Sequence, residues 1–102
     1  MNTLVNIELA RLLKEKGFNS PTCSYRQKSA VIGDETILPL VTRKGAFDWN
    51  NYPSGVPFYS IPTIEQVVMW LHEKHGIYVE LNTYEEAELA CLTKLIEIAE
   101  AL

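Results

Sequence analysis

The chain of 102 residues is 47% hydrophobic and 22% charged, a composition that indicates one globular domain over residues 1–102 and argues against a disordered chain. Its net charge of −4 argues against a partner recognised mainly through a phosphate backbone. No stretch reaches the roughly 18 apolar residues of a membrane span, and residues 1–17 lack the basic start of a signal peptide. We therefore expect a cytoplasmic protein with no membrane partner.

The first predicted helix spans residues 3–16. Val5, Leu9 and Leu13 recur at the spacing that aligns side chains along one face of a helix. Gly17 is the predicted end, because glycine readily adopts the left-handed conformation that follows a helix.

A β-hairpin is predicted next. Residues 22–32 and 35–42 have the composition of strands, and Gly33-Asp34 between them suits a two-residue turn. Pro39 cannot donate a ladder hydrogen bond, so the second strand is expected to be an edge strand or to bulge there.

Residues 43–62 form a stretch that we call the aromatic loop. Its three prolines and two glycines argue against a long regular element. Half of the ten aromatic residues of the chain fall within it. These candidate interaction residues are Phe47, Trp49, Tyr52, Phe58 and Tyr59.

The aromatic loop has three interpretations. The rings could cover the open face of a small sheet, which is the reading we favour, or they could form a contact surface for another protein. They could also stack on unpaired bases while nearby cations meet phosphates. The cations available for that role are Arg26, Lys28, Arg43 and Lys44.

The second predicted helix begins at Thr63 and ends at Gly76. Thr63 and Gln66 have the spacing of a capping box, in which two side chains satisfy free N–H groups at a helix start. Residues 77–82 then alternate between apolar and polar, which predicts a strand that joins the hairpin. The predicted buried face of the helix contains Ile64, Val67, Val68, Trp70, Leu71 and His75.

The third predicted helix starts with a second capping-box spacing, Thr83 with Glu86. Its apolar arc is wider than a surface helix needs, because Leu89 and Ile96 extend the central stripe. Either two elements of the chain cover this helix, or a second copy does. Leu89 and Ile96 are therefore candidate interaction residues for a homodimer.

The two histidines, His72 and His75, are three residues apart, whereas the zinc-protease motif needs a spacing of four. We expect a structural role, with His75 buried at the helix end and His72 on its flank. A metal site and acid–base catalysis are the alternatives. Cys23 and Cys91 stand alone, so we expect two buried structural thiols and no metal or other cofactor.

The segments ELARLLKEKGF, PTIEQVVMWLHEKHGIYVEL and TYEEAELACLTKLIEIAEAL resemble small proteins of phages and related mobile elements. In that family a helix ending in LKEKGF precedes a variable aromatic middle, a PT…WL.EKH helix and a YEEA helix. The resemblance covers about two-thirds of the chain. It implies a cytoplasmic phage or mobile-element protein, and it assigns no catalytic residue.

These observations predict an α+β fold in the order helix, β-hairpin, aromatic loop, helix, strand, helix, with a small and mostly antiparallel sheet. They predict a non-enzymatic accessory protein that acts through contacts with an unidentified protein partner or with a second copy. Single-stranded nucleic-acid binding through residues 43–62 is the first alternative. A metal-dependent enzyme at His72 and His75 is the second.

Overall fold

The computed structural model describes residues 3–31, 36–79 and 88–102, with only the backbone of residues 88–90. The described chain contains three α-helices and one three-stranded antiparallel sheet, which confirms the predicted α+β class. The helices are α1 (Ile7–Glu15), α2 (Ile64–His75) and α3 (Glu88–Glu100). The strands are β1 (Thr22–Gln27), β2 (Val41–Phe47) and β3 (Phe58–Ser60), and a short 3-10 helix covers Trp49–Asn51.

Strand β1 is the centre of the sheet, with β2 on one side and β3 on the other. The β1–β2 pairing confirms the predicted hairpin, but its second strand begins at Val41 and runs beyond the predicted residues 35–42. Before it, Ile37 makes an isolated bridge to Lys28. Pro39 lies between that bridge and β2, where its missing N–H interrupts the ladder. The predicted turn at residues 33–34 lies outside the described residues.

The third strand differs from the prediction. It comes from the aromatic loop, where Arg26 of β1 faces Tyr59 of β3. Residues 77–79 are in no strand, and residues 80–82 lie outside the described part of the chain. Prolines exclude a long strand from this loop, but three residues between Pro57 and Pro62 are enough to complete a small sheet.

Helix α1 begins later than predicted, because Asn6 caps it. The Asn6 side chain accepts a hydrogen bond from the Leu9 N–H over 3.0 Å. The preceding residues are extended and pair with the segment before α2. There the Val5 N–H donates to the Pro62 carbonyl over 3.0 Å. Gly17 ends the helix with φ 87°, as expected.

Helix α2 has the predicted capping box. The Thr63 hydroxyl accepts from the Gln66 N–H, and the Gln66 side chain accepts from the Thr63 N–H. Gly76 ends the helix in the left-handed conformation, with φ 65°. The prediction that His75 is buried is wrong, since its side chain is exposed. The four residues of α2 that are buried, Ile64, Val67, Trp70 and Leu71, all belong to the predicted face.

The three helices enclose one hydrophobic core with Phe18 and Ile61. Helix α3 contributes Leu95 and Ala99, while Ile96 is partly buried and packs against this core. The Leu89 side chain and the predicted start of α3 at residues 83–86 lie outside the description. No helix within the described ranges is long and apolar enough to cross a membrane.

One cysteine prediction is wrong. Cys91 is buried, as expected, but Cys23 is exposed on β1. Alternate side chains of a strand point to opposite sides of the sheet, so a central strand can still expose a residue where no helix covers it.

Candidate functional site

Five rings from four segments form one aromatic cluster on the sheet. Tyr25 of β1 and Phe58 of β3 are 5.2 Å apart between ring centroids. Trp49 lies 4.2 Å from Tyr25, and Tyr52 lies 4.7 Å from Phe58. Phe47, at the end of β2, lies 5.2 Å from Trp49. The rings of the aromatic loop therefore pack against one another and against Tyr25 of the central strand.

Sheet register explains why the two innermost rings meet. Tyr25 is opposite Ser60, and Gln27 is opposite Phe58, so Tyr25 and Phe58 are diagonal neighbours on the same face. Tyr59 is on the other face, because side chains alternate along a strand. The candidate residue Tyr59 thus does not belong to the aromatic cluster.

Asn50 fixes the loop beside β3, although no feature of the sequence singled it out. Its side-chain oxygen accepts from the Ser60 N–H over 2.9 Å, and its side-chain amide donates to the Phe18 carbonyl over 2.9 Å. Its own backbone N–H donates to the Ser60 hydroxyl over 3.1 Å. One side chain thus satisfies an edge N–H of β3. An Asn shortly before a β-strand in a Pro-rich loop is too common a pattern to have indicated this role.

The aromatic loop both covers a face of the sheet and exposes rings that could contact another protein. Tyr25 and Phe58 are buried beneath it, so the loop does cover a sheet face. Phe47 and Tyr52 remain 46% and 42% exposed. The outer rings therefore present an apolar surface to solvent, which soluble proteins commonly use for contacts.

Arg43 is the cation that the fold brings to the cluster. Its Nε donates to the Tyr25 hydroxyl over 3.4 Å, and this hydrogen bond raises the pKa of Arg43. A depression of about 310 Å³ is lined by Arg43 and by rings of the cluster. Lys44 follows on the exposed strand.

The other two predicted cations lie elsewhere. Arg26 alternates with Tyr25 and so belongs to the opposite face, where it donates to the Leu38 carbonyl over 3.3 Å. Lys28 forms the bridge with Ile37 beyond the end of β1. The structure therefore does not gather all four cations at the rings.

Strand β2 provides an edge next to the cluster. It pairs with β1 on one side, and no strand in the described ranges pairs with its outer side. Every residue after Val41 in this strand is exposed. Lys44 stands in the middle of the strand, and Phe47 at its end leads into the aromatic cluster.

The histidines form no comparable site. The ring of His75 packs edge-on against Trp70 at 4.7 Å, and His72 lies 6.2 Å from Tyr78. Both imidazoles are exposed. Across residues 3–31, 36–79 and 91–102, no group of three or more His, Cys, Asp or Glu side chains could hold a metal ion. The described chain thus offers these histidines no third ligand.

Comparison of the chain with protein-family models, with curated proteins and with solved structures found no match. The resemblance to phage and mobile-element proteins therefore stays a prediction.

Proposed function

We propose that the protein is a non-enzymatic binding protein that captures an extended segment of a partner protein alongside β2. The observation that carries this proposal is the unpaired outer edge of β2, within the described structure, next to the half-exposed rings of Phe47 and Tyr52. An added strand satisfies backbone groups along such an edge, and nearby side-chain surfaces select its sequence.

The rings supply the specificity that a bare strand edge lacks. Aromatic side chains are enriched in protein interfaces, because they bury a large area at low cost in conformational entropy. Phe47 and Tyr52 are held in place by ring contacts with Trp49, at 5.2 and 5.5 Å. They are therefore preorganised, which reduces the entropy lost on binding.

The positive charges of β2 favour an acidic partner segment along its outer edge over the β2 strand of a second copy of the protein. Antiparallel pairing of two β2 strands about their centre would place Lys44 opposite its own equivalent, and like charges directly opposite are destabilising. A lysine in an edge strand is a common protection against such self-pairing. A segment with Asp or Glu would instead meet Lys44 and Arg43 favourably. A homodimer through Leu89 and Ile96 of α3 is a separate proposal, tested by sedimentation of the protein alone.

The test is peptide selection followed by NMR mapping. Short random peptides are selected on the immobilised protein, and the best binder is titrated into ¹⁵N-labelled protein. We expect slower amide exchange within residues 41–47 and a loss of affinity of about fivefold or more for Phe47→Ala and Tyr52→Ala. Met69→Ala is the matched control, because Met69 is 59% exposed on α2. The proposal would be contradicted by selected peptides that leave amide exchange within residues 41–47 unchanged. Peptides that bind all three variants with equal affinity would also contradict it.

Single-stranded nucleic-acid binding is the second candidate, favoured by the position of Arg43 among the rings. Residues 18–62 contain four basic and three acidic residues, whereas the rest of the chain contains five and ten. Residues 18–62 therefore repel phosphate less than the rest of the chain does.

The second candidate makes a quantitative prediction about salt. If Arg43 and Lys44 each meet one phosphate, the logarithm of the affinity for oligothymidylate falls with the logarithm of salt concentration with a slope of about −1.4. Tryptophan fluorescence measures the binding, with Trp49 near the ligand and Trp70 buried in the core. No quenching at low salt, or a slope near zero, would exclude this function.

A further inference from the structure

A second depression lies on the other side of β3 from the aromatic cluster. It has a volume of about 510 Å³ and is lined by Arg11, Lys14 and Glu15 of α1 together with Pro57 and Tyr59. We call it the α1 groove. Since Tyr59 and Phe58 point to opposite faces of the sheet, the α1 groove is distinct from the site proposed above.

Two cations converge on one ring in this groove. The Lys14 ammonium lies 5.0 Å from the centroid of the Tyr59 ring, and the Arg11 guanidinium carbon lies 5.8 Å from it. Arg11 and Lys14 are three residues apart, which places them on one face of the helix. The Lys14 ammonium also donates to the Phe58 carbonyl over 2.7 Å. This hydrogen bond fixes the amine at the wall of the groove.

Neither cation is in direct contact with an anion in the described structure. Within those residues, no carboxylate forms an ion pair with Arg11 or Lys14, and no group accepts a hydrogen bond from the Arg11 guanidinium. Partial burial lowers the pKa of Lys14, which is the expected response of an ammonium group that loses water without gaining a counter-ion. Glu15 lines the groove, so its three charged side chains sum to a single positive charge.

We infer that the α1 groove binds a small organic oxyanion, a carboxylate or phosphate ester carried on an apolar or planar body. The guanidinium of Arg11 can hold two oxygens of such a group in parallel. Lys14 keeps two N–H donors after its bond to Phe58. Pro57 and Tyr59 supply the surface on which the apolar body packs.

The test uses ligands that share a ring and differ in charge. Benzoate and phenyl phosphate are titrated separately into ¹⁵N-labelled full-length protein at constant ionic strength, and neutral benzamide is titrated as the control. We expect saturable shifts around residues 11–15 and 57–59 for at least one of the anions and none there for benzamide. Which anion binds identifies the oxyanion. The native pKa of Lys14 should rise on binding, because the anion stabilises its charged form.

Variants assign the binding to this groove. Arg11→Gln and Lys14→Gln should each weaken binding by about threefold or more, since each removes one charge from the anion. Lys74→Gln, at an exposed position on α2, should leave the affinity unchanged. Arg43→Gln should also leave it unchanged, which separates this site from the aromatic cluster.

Three results would overturn the inference: no saturable shift with either anion, equal shifts with benzamide, or shifts that follow Arg43 and not Arg11. None of them bears on peptide capture by β2. Failure of peptide capture would likewise leave the anion titration at residues 11–15 unaffected.

Discussion

The indole N–H of Trp49 donates a hydrogen bond to the backbone carbonyl of Thr22 over 2.8 Å, and so joins the aromatic loop to the start of the central strand. Thr22 is completely buried, while Trp49 is half-buried beneath the outer rings. One polar atom thus sets the position of the ring around which the aromatic cluster is built.

Loss of that donor should destabilise the protein. Trp49→Phe keeps a ring but removes the N–H, and we expect the free energy of unfolding to fall by about 1–3 kcal/mol, measured by urea denaturation. Tyr52→Phe is the control, because its ring is 42% exposed, and it should change stability by less than about 0.5 kcal/mol. A Trp49→Phe protein as stable as the parent would show that the hydrogen bond contributes nothing.

The neighbouring residues Asn50 and Asn51 should contribute very different amounts to the stability of the protein. Asn50→Ala leaves the N–H of buried Ser60 without its acceptor, so a loss of about 2 kcal/mol is expected. Asn51→Ala removes only an exposed hydrogen bond to Asp48 and should cost less than about 0.5 kcal/mol. Thermal unfolding of the two variants side by side tests this difference, and equal losses would contradict it.

Two glycines provide a matched test of backbone strain. Gly76 has φ 65°, where a side chain is strained even though no atom lies within 4 Å of the added Cβ. Gly76→Ala should therefore lower stability by about 1–2 kcal/mol. Gly55 has an equally open surrounding and no positive φ, so Gly55→Ala should be neutral or stabilise by up to about 1 kcal/mol. Similar effects from both changes would refute this explanation.

Lys14 should make stability depend on alkaline pH. Burial lowers its pKa in the folded protein below 10.5, so the unfolded chain binds more protons than the folded one as pH rises between these two values. The stability of the parent relative to Lys14→Gln should therefore increase as the pH rises through the folded pKa towards 10.5. Urea denaturation of both proteins along a pH series measures the difference. A flat or falling difference would contradict the assignment.

Local signals in the sequence predicted the helix ends well. The capping box joins Thr63 to Gln66, and the left-handed Gly76 interacts with the last turn of the helix. Each signal involves residues close together in sequence, so it can be recognised from the sequence alone. The start of α1 was misplaced because periodicity continued through Val5. That residue is buried in an extended segment that pairs with Pro62, a contact between distant parts of the chain.

The sequence alone could not predict which rings of the aromatic loop come together. Its composition alone indicated a surface of interest, and four of its five aromatic residues do join one cluster. Only the register of β1 with β3 decided that Tyr25 completes the cluster and that Tyr59 lies on the opposite face. Side chains of a strand alternate, so a shift of one residue would have reversed both assignments.

The sequence by itself thus determined the α+β class, the limits of α2 and the end of α1, because these depend on spacing and capping within a few residues. Tertiary structure decided which segment supplies the third strand, whether His75 is buried, and where the cations lie. His75 follows the apolar spacing of its helix yet is exposed in the last turn, although Ile64 and Leu71 of the same stripe are buried. Burial depends on how helices and strands pack against one another, so the residue pattern of one helix cannot decide it alone.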